Sequence, residues 1–203
     1  KIYAVIHKIK STPITRWTAQ PTEYLEDHIA TLSPKGELVK EIPLLQAFEN
    51  SEYKSFLKQL EDDETWDPLH TNSIHYIKET SNDVPWLKQG HLLLSVRNTN
   101  SLAVLDPETG TITYATGIPA RKQHDVDLLE NGNLLFFDNR GDFRKSGYSR
   151  IIEINPKNNV IEWSYADDAL DSKFYGSQTR LENGNTFIVA GSSGRLIEVT
   201  PQK

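Results

Sequence analysis

Short apolar stretches alternate with turn-forming residues along most of the chain. The pattern is clearest between residues 124 and 165, where Asn131-Gly132 separates two apolar stretches and Pro156 follows a third. Asn-Gly supplies the positive φ angles of a tight hairpin, and proline ends the pairing of a strand. The pattern therefore predicts four short antiparallel strands. They are residues 124–129, 134–138, 150–154 and 160–165.

The same signals continue on both sides of this region. Upstream strands are predicted at residues 1–6, 30–32, 37–42, 74–77, 92–96, 103–105 and 111–115, and downstream strands at 179–181, 186–190 and 196–199. Residues 51–60 differ, because Tyr53, Phe56, Leu57 and Leu60 follow helical spacing. They predict a short amphipathic helix with Asn50 or Ser51 as its N-cap.

Two phrases recur at an interval of about forty to fifty residues. Glycines that precede an apolar strand, Gly90, Gly132 and Gly184, are 42 and 52 residues apart. Strands that end before Pro107, Pro156 and Pro201 are spaced by 49 and 45 residues. Periods of this length are typical of β-propeller blades, each about four antiparallel strands. The sequence predicts an all-β propeller with about three and a half blades, which is fewer than the six or seven of a usual closed ring. Either the chain is a fragment of a larger ring, which we favour, or the ring is unusually small.

Composition and charge narrow the function classes. The 203 residues contain 28 acidic and 22 basic side chains, giving a formal net charge of -6, and no cysteine. The acidic balance argues against nucleic-acid binding, and the absence of cysteine excludes disulfides and thiolate chemistry. No run approaches the roughly 18 apolar residues of a membrane-spanning helix. We expect residues 1–203 to form a single domain, incomplete at both ends, with an exposed acidic loop at 61–64.

Polar residues concentrate where each repeat begins. Propellers bind ligands at a central channel lined by the inner strands and their loops, so these residues are the candidates for chemistry. They are His70, Asn72, Arg97, Asn98, His124, Asn139, Arg140, Arg150 and Gln178. Structural roles compete with this interpretation: the histidines could cap neighbouring strands, Asn139 could close a turn, and Arg150 could form a structural salt bridge.

Several of these phrases resemble the ordered motifs of arylsulfotransferase-family β-propellers. The resemblance extends from about Asp27 to Pro201 in the same order. It is carried by Asp67-Pro68-Leu69-His70-Thr71-Asn72-Ser73-Ile74, Leu94-Ser95-Val96-Arg97-Asn98, Gln123-His124-Asp125, Leu135-Phe136-Phe137-Asp138-Asn139-Arg140, Ser149-Arg150 and Leu181-Glu182-Asn183-Gly184-Asn185-Thr186.

The resemblance implies a six-bladed ring and a periplasmic or secreted protein that transfers a sulfuryl group from an aryl sulfate to a phenol. It implies no nucleotide cofactor, because the group passes through a transiently sulfated histidine. Such a reaction requires a nucleophile, donors for the sulfate oxygens and a proton donor for the departing phenolate. By this resemblance His70 and His124 are the catalytic candidates. Asn72, Arg97, Asn98, Asn139, Arg140, Arg150, Gln178 and Arg195 are the substrate-binding candidates.

One departure from the family pattern leaves alternatives open. Familiar members place the nucleophilic histidine near the last repeat, but no histidine follows His124 here, and Arg195 lies roughly in its place. Either His70 or His124 has taken the covalent role, or water replaces the phenol as acceptor. The alternative is a propeller that binds an anion or a protein partner without catalysis. Although His70, His124 and Asp125 could converge on a metal, their spacing fits no ligand motif, so we predict no metal.

Overall fold

The computed structural model describes residues 1–11, 23–60, 66–140, 149–168 and 170–203. The predicted acidic loop at 61–64 lies outside these residues. The backbone divides into two compact units. The first contains Lys1–Tyr76 and Gly90–Gly117, and the second contains Ile77–Gln89 and Ile118–Lys203. Each unit is described by itself below.

The first unit contains two antiparallel sheets. In the three-stranded sheet the order is β1-β2-β3, and in the four-stranded sheet it is β4-β5-β6-β7. The strands are β1 (Ile2–Lys10), β2 (Tyr24–Leu32), β3 (Leu38–Pro43), β4 (Thr71–Tyr76), β5 (Leu92–Val96), β6 (Ser101–Asp106) and β7 (Thr111–Gly117). Every residue of β5 is buried, so this strand runs through the interior of its sheet.

Two short helices complete the first unit. The helix α1 (Leu44–Glu49) was not predicted, and a 3₁₀ helix (Lys54–Gln59) occupies the segment where one helix was predicted. Ser51 is not an N-cap but lies in the break between them, where its Oγ donates to the carbonyl of Phe48 (2.8 Å) and accepts from the amide of Tyr53 (3.1 Å). Because Leu44, Phe48 and Leu57 all enter the core of the unit, both helices are held by burial of their apolar side chains.

The second unit also contains two antiparallel sheets. One has the order β11-β10-β9-β8, and the other has the order β12-β13-β14. The strands are β8 (His124–Leu128), β9 (Leu134–Asp138), β10 (Arg150–Asn155), β11 (Val160–Tyr165), β12 (Ser177–Arg180), β13 (Thr186–Ala190) and β14 (Arg195–Val199). The predicted Asn-Gly hairpin joins β8 to β9, with Gly132 at a φ of +82°.

The all-β propeller fold with antiparallel blades is confirmed. The fourteen strands of the described residues form two four-stranded and two three-stranded sheets. Within these residues no helix combines the length and the hydropathy needed to cross a membrane.

Both four-stranded sheets have a β-bulge at the start of the first strand. In β4 the register shifts between Thr71 and Ser73, and in β8 it shifts between His124 and Asp127. A bulge redirects side chains and locally interrupts the hydrogen-bond ladder, and bulges are common beside active sites. The candidate residues Asn72 and His124 lie at these two irregular positions.

Candidate functional site

The candidate residues fall into two separate groups. The first unit carries His70, Asn72, Arg97 and Asn98, and the second carries His124, Asn139, Arg140, Arg150, Gln178 and Arg195. Each group is centred on one histidine that precedes or begins the first strand of a four-stranded sheet.

His70 lies immediately before β4 in an unusual backbone conformation. Its φ is +50°, which is uncommon for a residue with a side chain. This conformation costs free energy and persists only where the surrounding structure imposes it. The ring Nδ1 lies 2.5 Å from Oδ2 of Asp67. The imidazole is therefore oriented by a carboxylate, while its side chain is still 38% exposed. An exposed, carboxylate-oriented imidazole is suited to proton transfer.

Asn98 and Arg97 hold the segment that carries His70. The amide nitrogen of the Asn98 side chain donates to the carbonyl of Asp67 (2.6 Å), and its Oδ1 accepts from Nη1 of Arg97 (2.6 Å). The Arg97 backbone amide also donates to the carbonyl of His70 (3.3 Å). Because both ends of the Asn98 side chain contact the protein, its contribution here is to position His70. Contact of Asn72, Arg97 and Asn98 with substrate stays a prediction.

Asp27 is a component of the His70 group that sequence analysis missed. This buried β2 carboxylate accepts from the backbone amide of Thr71 through Oδ2 (2.6 Å), and its Oδ1 lies 2.9 Å from Nδ1 of His7. Burial raises the pKa of Asp27, although the hydrogen bonds from Thr71 and the nearby His7 oppose the rise. Because Thr71 follows His70 directly, Asp27 fixes the backbone beside the candidate histidine. Strand β2 contains Glu26, Asp27 and His28 in succession, so its sequence alone does not single out Asp27.

His124 begins β8 and is held by a buried amide instead of a carboxylate. Its Nδ1 lies 2.7 Å from Oδ1 of Asn139 and 3.2 Å from the carbonyl of Lys122. The Nδ2 of Asn139 donates to the carbonyls of Ser172 (2.7 Å) and Tyr175 (3.1 Å), which fixes the orientation of the amide. Both groups that face Nδ1 are therefore acceptors. The neutral ring must carry its proton on Nδ1, which leaves the lone pair on Nε2.

Residues on either side of His124 have strained backbones. Lys122 and Asp125 both have a φ of +55°. Asp125 accepts from Gln178 of β12, through Oδ2 from the backbone amide (3.0 Å) and through its carbonyl from Nε2 (2.5 Å). Gln178 is buried, so its observed contacts hold β12 beside the His124 segment. Strain that is maintained in this way is common at functional sites.

The three arginines of the second group have different surroundings. Arg150 donates from Nε to the fully buried Asp138 (2.8 Å) and from Nη2 to the carbonyl of Pro119 (2.7 Å), which fits the structural salt bridge considered above. Arg140 places its guanidinium carbon 5.9 Å from the ring centroid of Phe174. Arg195 is exposed at the start of β14. Whether any of them contacts an anionic ligand stays a prediction.

A surface groove of about 640 Å³ lies away from His124. Its lining includes Asp127, Glu130, Arg180 and Glu182, so it follows the distal ends of β8 and β12. His124 lies at the opposite end of β8. The groove therefore does not contribute to the histidine site.

Comparison with known proteins identifies the family. The chain belongs to the arylsulfotransferase (ASST) family, whose sequence model matches residues 3–203. A search of curated proteins found no match to the sequence.

Solved structures are similar in fold. One is a protein of unknown function from Bacteroides caccae, with a TM-score of 0.55 and 14% identity over 89% of this chain and 60% of that one. A second is virginiamycin B lyase from Staphylococcus aureus, with a TM-score of 0.45 and 13% identity over 96% of this chain and 60% of that one. A third is the WD40 propeller domain of Doa1, with a TM-score of 0.47 and 12% identity over 85% of this chain and 45% of that one. The chain thus spans about 60% of the length of the Bacteroides caccae structure.

Proposed function

We propose that the protein transfers a sulfuryl group from an aryl sulfate to a phenolic acceptor, with Nε2 of His124 as the nucleophile. Membership of the arylsulfotransferase family supports the reaction class. The observation that carries the residue assignment is the contact between Nδ1 of His124 and the buried Oδ1 of Asn139. This contact keeps the neutral ring in the tautomer whose lone pair is on Nε2.

In the first step, the Nε2 lone pair attacks sulfur and a new N–S bond forms. The S–O bond to the aryl group breaks, and the phenolate oxygen leaves with the bonding pair and takes up a proton from a general acid. The ring becomes cationic while Nδ1 keeps its proton. Oδ1 of Asn139 and the carbonyl of Lys122 both accept from that nitrogen, so they stabilise the cationic ring.

In the second step, the acceptor phenol attacks the sulfur of the sulfated histidine. The N–S bond breaks, its electron pair returns to Nε2, and the proton of the phenol passes to a general base. The sulfuryl oxygens carry negative charge in both steps, so cationic donors accelerate each of them. We propose Arg140 as one such donor, since it directly follows Asn139 in the chain. The sulfuryl group moves between oxygens through the protein, so no nucleotide cofactor is required.

His70 is the second catalytic candidate, and its surroundings favour proton exchange. The Asp67 carboxylate at Nδ1 fixes the orientation of the ring. His70 is thus our alternative catalytic residue, within the first unit, and we propose a periplasmic or secreted location for the protein. Small-molecule aryl sulfates and phenols are the proposed partners, with no nucleic acid, metal or membrane span required.

The test is to trap the sulfated histidine on the full natural chain. The protein is mixed with 4-nitrophenyl sulfate in the absence of acceptor, quenched in alkali and digested for peptide mass spectrometry. We expect one sulfuryl group on the peptide that contains His124, lost in His124→Ala and kept in His91→Ala. Hydrolysis would appear as continued 4-nitrophenol release without a phenol acceptor. A folded protein that neither releases 4-nitrophenol nor carries the label would favour the non-catalytic binding role.

A further inference from the structure

The loop that Asn139 holds presents two large aromatic side chains to solvent. We refer to residues 170–176 as the aromatic loop. Phe174 is 55% exposed and Tyr175 is 68% exposed. Aromatic side chains of this size usually bury most of their surface in a folded protein, since burial gives a large hydrophobic gain. Two adjacent exposed rings therefore call for a partner of matching chemistry.

The backbone of the aromatic loop is fixed by a dense hydrogen-bond network. Ser149 donates from Oγ to the carbonyl of Ser172 (3.1 Å) and accepts from its amide (2.9 Å). Oγ of Ser172 donates to the carbonyl of Tyr175 and accepts from the backbone amide of Ser192 (2.8 Å). The exposed rings are thus attached to a backbone that is anchored by buried polar groups. Such an anchored loop presents a preformed surface to a ligand.

Close packing at two glycines also restricts the loop. A Cβ at Gly176 would lie 2.6 Å from the Phe137 ring, and one at Gly191 would lie 2.8 Å from Cβ of Tyr175. Both approaches are shorter than real Cβ contacts allow. The loop therefore packs tightly against its own unit through its backbone while its two rings face outward.

The aromatic loop is connected directly to the proposed nucleophile. Nδ2 of Asn139 donates to the carbonyl of Tyr175, and Oδ1 of the same side chain faces Nδ1 of His124. The next residue, Arg140, has its guanidinium 5.9 Å from the centre of the Phe174 ring. One short segment thus combines a cation, exposed aromatic surface and the amide that orients His124.

We propose that Phe174 and Tyr175 form the binding surface for the aryl ring of an anionic aryl ester, with Arg140 as the donor to its anionic group. The identity of the ligand rests on the proposed sulfuryl transfer. Ring-on-ring contact selects flat aromatic ligands over aliphatic ones of the same charge. The guanidinium offers several N–H donors to sulfate oxygens. The loop therefore determines specificity for aromatic donors or acceptors.

The experiment measures binding of a ligand that cannot react. Naphthalene-2-sulfonate has a C–S bond in place of the transferable O–S bond, and cyclohexanesulfonate is its aliphatic counterpart of equal charge. NMR titration of the full natural chain is expected to show at least tenfold tighter binding of the aromatic sulfonate. Phe174→Leu and Tyr175→Leu should each weaken that binding about three- to tenfold. Arg140→Met should lower the affinity for both sulfonates. Phe174→Tyr keeps the ring and should retain binding.

Val160→Ala is the matched control, because Val160 is an exposed apolar residue of the same unit and begins β11, outside the aromatic loop. It should leave both affinities unchanged. Equal affinity for the two sulfonates, or unchanged naphthalene-2-sulfonate binding in both leucine variants, would overturn the proposal. Thermal midpoints of the variants identify any that fail to fold, in which case Phe174→Tyr and Arg140→Met carry the comparison.

The two proposals fail in different ways. If the aromatic sulfonate binds through the loop but His124 is never sulfated, the aryl-binding surface stands and the transfer mechanism is wrong. If His124 is sulfated but both leucine variants bind naphthalene-2-sulfonate as the unaltered protein does, the transfer mechanism stands and the aryl-binding surface is wrong.

Discussion

The two candidate histidines differ in the group that faces Nδ1. In the first unit that group is the Asp67 carboxylate, and the His70 side chain is 38% exposed. In the second unit it is the buried Asn139 amide, and His124 is nearly enclosed. The two sites therefore place similar rings in electrostatically different surroundings, although both begin at an irregular first strand of a four-stranded sheet.

The difference separates two kinds of chemistry. A carboxylate stabilises an imidazolium and so favours uptake and release of protons. A neutral amide oxygen fixes the tautomer without adding a negative charge next to the ring. This arrangement suits a nitrogen that must approach an anionic sulfate ester, because a second anion nearby would repel the substrate. We therefore propose His124, and not His70, as the nucleophile, while the surroundings of His70 favour proton exchange.

The largest expected effect comes from removing each ring in turn. His124→Gln should abolish sulfation of the protein and lower turnover about 10³-fold or more, because the covalent route is lost. His70→Gln should keep the sulfated intermediate, because the described partners of His124 all belong to the other unit, and a loss of turnover in this variant would identify a proton-transfer role for His70. Rapid-quench kinetics with 4-nitrophenyl sulfate measures both the burst of 4-nitrophenol and the steady rate.

His75→Gln is the control for these two variants, since His75 lies next to the end of β4 and not at its start. It should leave both the burst and the steady rate near those of the unaltered protein. A burst that survives in His124→Gln and disappears in His70→Gln would reverse the assignment.

The limits of several strands could be predicted from the sequence, but most of the hydrogen-bond partners around the two histidines could not. The limits of β5, β9, β11 and β13 agree with the prediction, because local apolar runs and turn residues determine them. Asp67 was within reach, as it is three residues before His70. Asn139 was identified as a candidate, but its role as the hydrogen-bond partner of His124 depends on strand pairing, which sequence alone does not fix. Asp27, 43 residues before His70, has only tertiary contacts to reveal it.

The helices show a second limit of sequence reasoning. The spacing of Tyr53, Phe56, Leu57 and Leu60 indicated a helix correctly in place but not in type. Ser51 forms hydrogen bonds that end α1 and start a separate turn. The helix α1 was missed because it has only six residues, too few for the spacing of Leu44, Leu45, Ala47 and Phe48 to repeat.

The next largest expected effect is a loss of stability when the ion pair beside the His124 site is broken. Asp138 is fully buried beside Asn139, and Arg150 is its cationic partner. Arg150→Met should lower the free energy of unfolding by about 2–3 kcal/mol, because it leaves a buried carboxylate without its counter-charge. Urea denaturation measures the change. Arg195→Met should change stability by less than about 0.5 kcal/mol, as an exposed substitution. Equal losses in the two variants would show that the Asp138–Arg150 pair adds no support.

A smaller effect tests the carboxylate of the His70 site. Asp67→Asn keeps the size of the side chain and removes its charge, so the His70 ring loses the carboxylate that orients it. We expect turnover to fall about tenfold, with sulfation of His124 unchanged, because the His70 ring itself remains. The measurement is turnover with 4-nitrophenyl sulfate at one fixed pH, beside the unaltered protein. Equal turnover in the two proteins would argue that Asp67 only holds the loop.

The smallest effect is a pH dependence of stability at Asp27. Burial raises the pKa of this carboxyl, so the folded protein holds the proton more tightly than the unfolded chain does. By linkage, Asp27 reduces stability as pH rises from the ordinary value near 3.9 through the raised folded value. Asp27→Asn cannot titrate and keeps an oxygen that accepts from Thr71. Its stability relative to the unaltered protein should therefore improve as pH rises through this range.

Asp106 provides a control of opposite sign in the same unit. Burial alone would raise its pKa, but hydrogen bonds from the Glu108 amide and from the hydroxyl and amide of Thr109 together lower it. Asp106 therefore adds stability that is complete above its ordinary pKa and is lost as pH falls through the lowered folded value. Asp106→Asn should become more destabilising with rising pH, opposite to Asp27→Asn. Urea unfolding of both variants between pH 3 and 7 measures how the stability change of each depends on pH. Parallel pH dependences would mean that the buried Asp27 beside His70 is no more costly to ionise than a carboxylate held in an ordinary turn.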